Sequence, residues 1–199
     1  MSVTEESIDW LEELVYPAID QFYKEDNSLV LMNLDAHERT IVANIYCKMN
    51  VMLNKIKEKN TNFMHLNIDV EYNRNNEDTK RASRKCRECT KCNCISKKYL
   101  LGCKSILPDI ILHERQTNKD NQVAIEFKKD TNTNVYSREK DMAKLSYLTC
   151  SLPSDEDDIC DYKYRLGCFI ELCKDSYEVT IFENAEPKPV KKRKRGKWF

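Results

Sequence analysis

The amino-acid sequence predicts an α/β fold in which a central sheet is flanked by helices. Three segments place apolar residues at helical spacing, and five shorter runs have the length and pattern of strands. The helical segments are 7–23, 35–59 and 137–149, and the strand-length runs are 65–74, 108–111, 123–128, 164–173 and 177–184. A chain of 199 residues, 41% of them hydrophobic, is long enough to bury these elements around one core.

The first helical segment contains a proline. Its apolar stripe includes Ile8, Leu11 and Val15, and Ser7 is a suitable N-cap. Pro17 lies inside the segment and lacks the amide hydrogen that a helix interior requires, so we expect a kink or a split there. We expect this helix to pack on the core or on a second subunit.

The second helical segment, residues 35–59, carries an acid near its start. Its apolar stripe is formed by Ile41, Ile45, Met49, Leu53 and Ile56. Asp35 and Glu38 have the spacing of a capping box in which Asp35 is the N-cap. An acid in the first turn also suits the helix dipole. The pattern leaves open whether Glu38 only caps the helix or also belongs to a functional site.

Two strand-length runs each carry one acid, Asp109 in the first and Glu126 in the second. If these runs pair as a hairpin, with a turn over residues 118–121, the two acids converge on one point. Side chains two apart in a strand point the same way, so Glu126 and Lys128 share a face while Phe127 turns into the core. Two carboxylates beside a lysine are suited to hold a divalent cation and activate a water molecule.

In this order of elements the motif resembles the PD-(D/E)xK nuclease superfamily. The resemblance covers about residues 35–183, from the helix of Glu38 through the strand at 70–74 and the acid-bearing hairpin to the last two strands. It implies a restriction-endonuclease-like core, an α+β domain with a mixed central sheet. It also implies a divalent-metal-dependent nuclease that hydrolyses phosphodiester bonds, most simply a DNA endonuclease or nickase.

The resemblance also implies a role for each motif residue. Asp109 and Glu126 would bind Mg²⁺ or Mn²⁺, with the Phe127 carbonyl as a third oxygen ligand. Lys128 would orient or help deprotonate the attacking water, or neutralise the transition-state oxygens. Glu38 would complete the metal shell.

Other residues stand beside this set as alternatives or additions. Glu71, on the strand after the second helix, competes with Glu38 for the role of the additional acid. Asp141, Lys144 and Tyr147 lie on the helix 137–149, whose polar face lines the site in related family members. Lys144 is therefore a candidate phosphate contact, and a solvated helix face is the alternative interpretation.

Cysteines at regular spacing lie between the first two strands. They are Cys86, Cys89, Cys92, Cys94 and Cys103. Two-residue spacing of thiolates suits tetrahedral Zn²⁺, so we expect a structural zinc knuckle inserted at about 76–107. The spacing does not select four ligands from the five. An iron–sulfur cluster, which some nucleases of this superfamily carry, is an alternative, and a basic loop with free thiols is another.

Basic residues surround these cysteines and could contact phosphate. They include Arg84, Lys85, Arg87, Lys91, Lys97 and Lys98. The formal net charge of the chain is zero, but residues 188–197 hold seven Lys and Arg and no acid. The rest of the chain therefore carries more acids than bases, so a nucleic acid would have to bind at a local basic patch.

The sequence predicts three parts: an N-terminal helical segment (1–34), a nuclease-like domain (35–187) and a basic C-terminal tail (188–199). The tail is expected to act as a nucleic-acid arm or a nuclear-localisation signal. Its central basic residues are Lys191, Lys192, Arg193, Lys194 and Arg195.

The expected partner is nucleic acid, most simply DNA. The sequence leaves the oligomeric state open, although duplex cleavage by one such site generally needs two copies, which a homodimer would supply. The sequence has no apolar run of about 20 residues, so no membrane span is expected. We expect a cytoplasmic protein, or a nuclear one directed by the tail. Two other functions stay open: a non-catalytic binding module on a nuclease-like scaffold, and an RNA-directed nuclease.

Overall fold

The computed structural model describes residues 8–26, 37–70, 74–75, 78–79, 106–150, 162–189, 191–194 and 197–198. Within these residues the chain is an α+β protein with a mixed sheet flanked by helices, as the sequence predicts.

The N-terminal helix changes type just before the proline, but its backbone stays helical through the junction, so the helix is not split there. A π-helical turn, Leu11–Val15, leads into α1, Tyr16–Glu25, which has Pro17 in its first turn. The Tyr16 amide donates to the Leu11 carbonyl, five residues back, so the hydrogen-bond pattern of the helix changes next to the residue that lacks an amide hydrogen. The predicted N-cap, Ser7, lies outside the described residues.

Two longer helices follow in the described residues; the first buries one stripe and the second buries most of its C-terminal half. Helix α2 spans Glu38–Lys59 and buries Ile41, Val42, Ile45, Met49 and Leu53. Helix α3 spans Val135–Leu148, and the side chain of its N-cap, Asn134, accepts a hydrogen bond from the Ser137 amide at 3.0 Å. The expected capping box at Asp35 is wrong, because α2 begins at Glu38 and its N-cap position is His37.

Within the described residues, ten strands form an eight-stranded sheet and a separate two-stranded ribbon. They are β1 Leu66–Val70, β2 Arg74–Asn75, β3 Asp78–Thr79, β4 Ile110–Glu114, β5 Asn121–Lys129, β6 Leu166–Leu172, β7 Tyr177–Glu183, β8 Glu186–Pro187, β9 Lys191–Lys194 and β10 Lys197–Trp198. The main sheet has the order β1-β4-β5-β6-β7-β9-β10, with β8 also paired to β7, whereas β2 and β3 pair with each other. Strands β5 and β6 are parallel and the other pairs are antiparallel, so the sheet is mixed.

The main sheet has a hydrophobic layer on each face. The larger layer joins the N-terminal helical segment and α2 to alternate residues of the strands, including Ile125, Phe127 and Ile170. The smaller layer packs α3 on the opposite face, against Ala124 and Phe169 among others. Because α1 shares the larger layer with the sheet, the segment predicted as 1–34 belongs to the same core in its described part.

Gly167 of β6 lies where α3 approaches the sheet. A Cβ atom at this position would lie 3.1 Å from Thr149 Cγ2 and 3.2 Å from the Cβ atoms of Leu145 and Phe182. The absence of a side chain at this position therefore lets α3 lie low on the sheet.

The basic segment at the C-terminus is not a free tail in its described part. Strand β9 pairs with β7, with Arg193 opposite Tyr177 and Lys192 opposite Glu178. Arg193 is 9% exposed, and its guanidinium contacts Glu12 at 3.3 Å and Asp20 at 3.0 Å. The expectation that Arg193 is a surface contact for nucleic acid is therefore wrong, because the sheet turns this side chain toward α1. Arg195 lies outside the described residues.

Among the described residues, no helix has the length and apolar character to cross a membrane.

Candidate functional site

The candidate site lies at one end of the sheet, where β1 and β5 end and β4 begins. Strands β4 and β5 pair antiparallel with Ile110 opposite Ile125, so the same register places Asp109 opposite Glu126. The carboxylate of Asp109 accepts a hydrogen bond from the Phe127 amide at 2.8 Å. The expected hairpin is thus confirmed, and it brings the two acids together on neighbouring strands.

Alternation along β5 separates the core residue from the site residues. Phe127 lies in the larger hydrophobic layer and is fully buried. Glu126 and Lys128 point to the opposite face, toward α3, as predicted from their spacing.

Lys128 is held by two carboxylates from different helices. Its Nζ atom lies 2.8 Å from Oε1 of Glu38, at the start of α2, and 2.8 Å from Oδ2 of Asp141, on α3. The same atom donates a hydrogen bond to the Phe127 carbonyl at 3.2 Å. Glu38 is therefore a part of the site and not simply a cap of its helix.

Lys144 lies on the other side of Asp141. Its Nζ atom lies 2.7 Å from Oδ1 of Asp141 and 2.5 Å from Oε1 of Glu126. It also donates a hydrogen bond to the Leu107 carbonyl at 3.3 Å. The polar face of α3 thus lines the site, as the resemblance implies, whereas Tyr147 packs in the smaller hydrophobic layer.

Asp141 is the site residue to which the sequence assigns no individual role. Its two oxygens each contact a different lysine, so it bridges Lys128 and Lys144. Its spacing of three residues from Lys144 on a helix was a signal that the two side chains meet. The contact with Lys128 had no such local signal.

Burial raises the pKa of both acids of the hairpin. The pKa of Asp109 is raised to about 6 because its carboxyl group is removed from water. The Phe127 amide and the nearby ammonium groups of Lys144 and Lys128 act to lower this pKa. Glu126 is 1% exposed, and its burial raises its pKa well above the ordinary value of a glutamate. Buried carboxylates of this kind need a positive partner to stay ionised.

The pKa values of both lysines are also raised. Burial alone would favour the neutral amine of Lys128, but hydrogen bonds to Asp141 and Glu38 outweigh it. The same balance holds for Lys144, where burial is outweighed by the charges of Glu126 and Asp141. Both side chains are therefore ammonium groups at neutral pH.

Negative groups outnumber positive ones in this cluster. Four carboxylates, those of Glu38, Asp109, Glu126 and Asp141, stand against the two ammonium groups of Lys128 and Lys144. With all four acids ionised the cluster carries two excess negative charges, or one if the guanidinium of Arg39 in the adjoining pocket is counted, and a bound cation would offset this excess.

One carboxylate oxygen lies buried at the centre of the cluster. Oε1 of Glu126 contacts Lys144 Nζ at 2.5 Å as an ion pair. Hard carboxylate oxygens in a cluster where acidic side chains outnumber basic ones fit the binding of a hard cation. In the part of the chain that is described, no three His, Cys, Asp or Glu side chains are grouped to hold a metal ion by themselves.

A pocket of about 360 Å³ adjoins the site. It is lined by Glu38, Arg39, Val42, Val70 and Asp109, so one carboxylate of the hairpin and the start of α2 form part of its wall. The pocket gives the site an approach from the side of β1.

Several predicted site residues lie outside the described residues. They are Glu71, the five cysteines Cys86, Cys89, Cys92, Cys94 and Cys103, and the basic residues Arg84, Lys85, Arg87, Lys91, Lys97 and Lys98. The predicted zinc or iron–sulfur site and its basic loop therefore stay predictions, and so does the choice between Glu71 and Glu38 as a metal ligand.

Comparison with known proteins gives no relative of this chain. No protein-family model, no curated protein and no solved structure matches it.

Proposed function

We propose that this chain is a divalent-metal-dependent nuclease that hydrolyses phosphodiester bonds in DNA, as an endonuclease or a nickase. The observation that carries the proposal is the placement of Asp109 opposite Glu126 with Lys128 two residues further on, at the end of the sheet. The order α2–β1–β4–β5–α3–β6 around this motif supports a restriction-endonuclease-like core.

Asp109 and Glu126 would hold the Mg²⁺ or Mn²⁺ ion, with the Phe127 carbonyl close by. Two protein carboxylates are sufficient, because Mg²⁺ usually keeps several waters and also binds the phosphates of its substrate. When bound, the ion would supply positive charge that polarises the scissile phosphate and makes a water molecule more acidic.

Lys128 would act as a fixed positive charge in this reaction. Its contacts with Glu38 and Asp141 raise its pKa and keep it protonated, which makes it a poor proton acceptor at neutral pH. Of the roles that the sequence leaves open for it, orienting the water and neutralising the developing charge on phosphate fit this environment better than deprotonation.

Glu38 and Asp141 would position Lys128. Each holds the ammonium group at 2.8 Å, one from the start of α2 and one from α3. Because these two helices lie on opposite faces of the sheet, the lysine is fixed from both sides near the end of β5.

The test is a plasmid-nicking assay on D109N, E126Q and K128M, with K55M as a matched control on the exposed face of α2. In Mg²⁺ or Mn²⁺ each site variant is expected to lose about 100-fold or more of its cleavage rate. K55M is expected to match the wild type, and EDTA is expected to abolish cleavage. Undiminished cleavage by D109N or K128M would contradict the assignment.

A binding module without catalysis is the second candidate function, and the exposed lysines of β9 favour it. Lys191, Lys192 and Lys194 are exposed on a strand that is fixed to the sheet. Anisotropy titrations in EDTA with duplex DNA, single-stranded DNA and RNA would measure binding separately from cleavage. Tight binding without any metal-dependent cleavage would favour the module, and preferential cleavage of RNA would favour an RNA-directed nuclease.

We also propose a cysteine-bound metal site, a dimer and a cellular location for this protein. The cysteines at 86–103 would hold a structural Zn²⁺, or an iron–sulfur cluster, beside a basic loop that contacts phosphate. Two copies of the chain would cut the two strands of a duplex. The protein would act in the cytoplasm, or in a nucleus reached through its basic C-terminus.

A further inference from the structure

The ammonium group of Lys144 occupies a cradle of oxygens inside the candidate site. Its Nζ atom lies 2.5 Å from Glu126 Oε1, 2.7 Å from Asp141 Oδ1 and 3.3 Å from the Leu107 carbonyl oxygen. These oxygens come from β5, from α3 and from the segment before β4. The Lys144 side chain is 13% exposed and Glu126 is 1% exposed, so little water competes for these contacts.

A divalent cation and this ammonium group cannot both occupy the cradle. Mg²⁺ binds oxygen at about 2.0–2.1 Å, so an ion bound to Glu126 Oε1 would come against the ammonium that contacts the same atom. Two positive charges at such a distance in a buried site repel strongly. Loading of the cation therefore requires Lys144 to leave Glu126.

We infer that Lys144 is a built-in substitute cation, which neutralises Glu126 and Asp141 while the site is empty and is displaced when a divalent cation binds. The inference rests on the proposed function, because it assumes that Asp109 and Glu126 take up such an ion. Lys144 would lower the affinity of the site for the metal. It would also stabilise the fold while no metal is bound, because buried carboxylates without a positive partner are destabilising.

The surroundings of Lys144 allow this exchange. Its four-carbon stem is flexible, and the side chain is not fully buried, so the ammonium can move outward without unfolding α3. Asp141 keeps its second contact with Lys128 when Lys144 leaves. The displaced ammonium would then be free to meet a phosphate, the role that the sequence analysis expects of it.

The first experiment is a calorimetric titration of Mn²⁺ into the wild type, K144M and K140M. K144M keeps an apolar stem but lacks the charge, and K140M is the matched control one turn earlier on α3. K144M is expected to bind Mn²⁺ at least about ten-fold more tightly than the wild type, with K140M unchanged. Equal or weaker binding by K144M would overturn the inference.

A second measurement uses the wild type and does not depend on the folding of a variant. Reductive methylation followed by peptide mass spectrometry reports how reactive each lysine is. The labelling rate of Lys144 is expected to rise several-fold when Mn²⁺ is added, while that of Lys140 stays constant. An unchanged or lower rate for Lys144 would contradict its displacement.

These experiments separate failure of the inference from failure of the proposed function. If the wild type binds Mn²⁺ and K144M binds it no better, only the role of Lys144 is wrong. If neither the wild type nor K144M binds Mn²⁺, the metal-dependent function and the inference are both wrong. Binding by K144M alone would support the inference in its strongest form.

Discussion

Asp141 determines how two lysines are arranged at the candidate site. Its oxygens contact Lys128 at 2.8 Å and Lys144 at 2.7 Å. The carboxylate is nearly buried, so these contacts are weakly screened and replace the water that the acid would otherwise hold. One side chain on α3 therefore positions both Lys128, which is proposed to act on the substrate, and Lys144, which is proposed to occupy the metal site while no cation is bound.

Asp69 forms a second charged cluster, on the neighbouring strand β1. His113 Nε2 and Arg115 Nε each lie 2.9 Å from its Oδ2 atom, and Arg115 also contacts Oδ1. Burial favours the neutral acid, but the hydrogen bonds from His113 and Arg115 hold the pKa of Asp69 well below its usual range. This cluster ties β1 to β4 across the antiparallel pair that borders the site.

We predict that D69N lowers the free energy of unfolding by about 1–2 kcal/mol. This is less than a fully buried ion pair would contribute, because Arg115 is half exposed and water screens its charge. Because the folded pKa is depressed, the stabilisation is full above the unfolded pKa of about 3.9 and is lost as pH falls through the folded value. Urea denaturation of the wild type and D69N between pH 2 and 6 would measure this stabilisation, with E58Q on α2 as an exposed control. A difference between wild type and D69N that does not shrink below pH 4 would contradict this account.

At the scale of elements, β9 divides its basic residues between the two faces of the sheet. Residues directly opposite each other on neighbouring strands share a face of the sheet. One such row crosses four strands and consists of Lys192, Glu178, Glu171 and Lys128. Lys192 and Lys194 therefore point to the face of the candidate site, and Lys192 lies three strand spacings, about 14 Å, from Lys128. Lys191 and Arg193 point to the opposite face.

We predict that the double variant K192A/K194A weakens binding of duplex DNA and makes it less dependent on salt. If both lysines contact phosphates, the slope of log affinity against log salt concentration falls by about 2. K191A is the matched control, because Lys191 lies on the same strand but borders a pocket with Trp10 and Arg165 on the other face. If K191A weakened DNA binding as much as removal of Lys192 or Lys194 does, the face on which a lysine lies would not determine its contribution to binding.

For the whole molecule, the N-terminal helical segment and β9 meet on one face of the sheet. Arg193 of β9 contacts Glu12 and Asp20 from the N-terminal helical segment, and its guanidinium lies 5.0 Å from the ring centre of Tyr16. The Tyr177 hydroxyl donates a hydrogen bond to Asp20 at 3.2 Å. The basic C-terminal segment thus helps to hold α1 on the sheet, a structural role that its composition did not indicate.

We predict that R193M lowers the free energy of unfolding by about 1.5–3 kcal/mol, because hydrogen bonds to the charged groups of Glu12 and Asp20 are lost. Removal of residues 188–199 should be more destabilising, since it also uncovers the edge of β7. Thermal and urea unfolding would measure both changes, with K188M as the control for an exposed surface pair. Stability equal to wild type in the truncated chain would contradict a structural role for β9.

The elements of the fold were predictable from the sequence because their signals are local. The stripe of α2, the alternation in β5 and the proline of α1 each report which face a segment buries or where its hydrogen-bond pattern changes. The pairing of the two acid-bearing strands was also predictable, because a short turn joins them. That pairing alone places Asp109 opposite Glu126 with Lys128 beside them.

Only the tertiary structure decided which partners these residues have. Glu38 and Lys128 are 90 positions apart, and Arg193 and Glu12 are 181 apart, so no local pattern links them. The same holds for the contacts of Asp141 with Lys128 and of Lys144 with Glu126. A local pattern fixes the face on which a charge lies, whereas its partner depends on how distant elements pack. That packing brings Glu38 to Lys128 at the candidate site and Arg193 to the acids of the N-terminal helical segment.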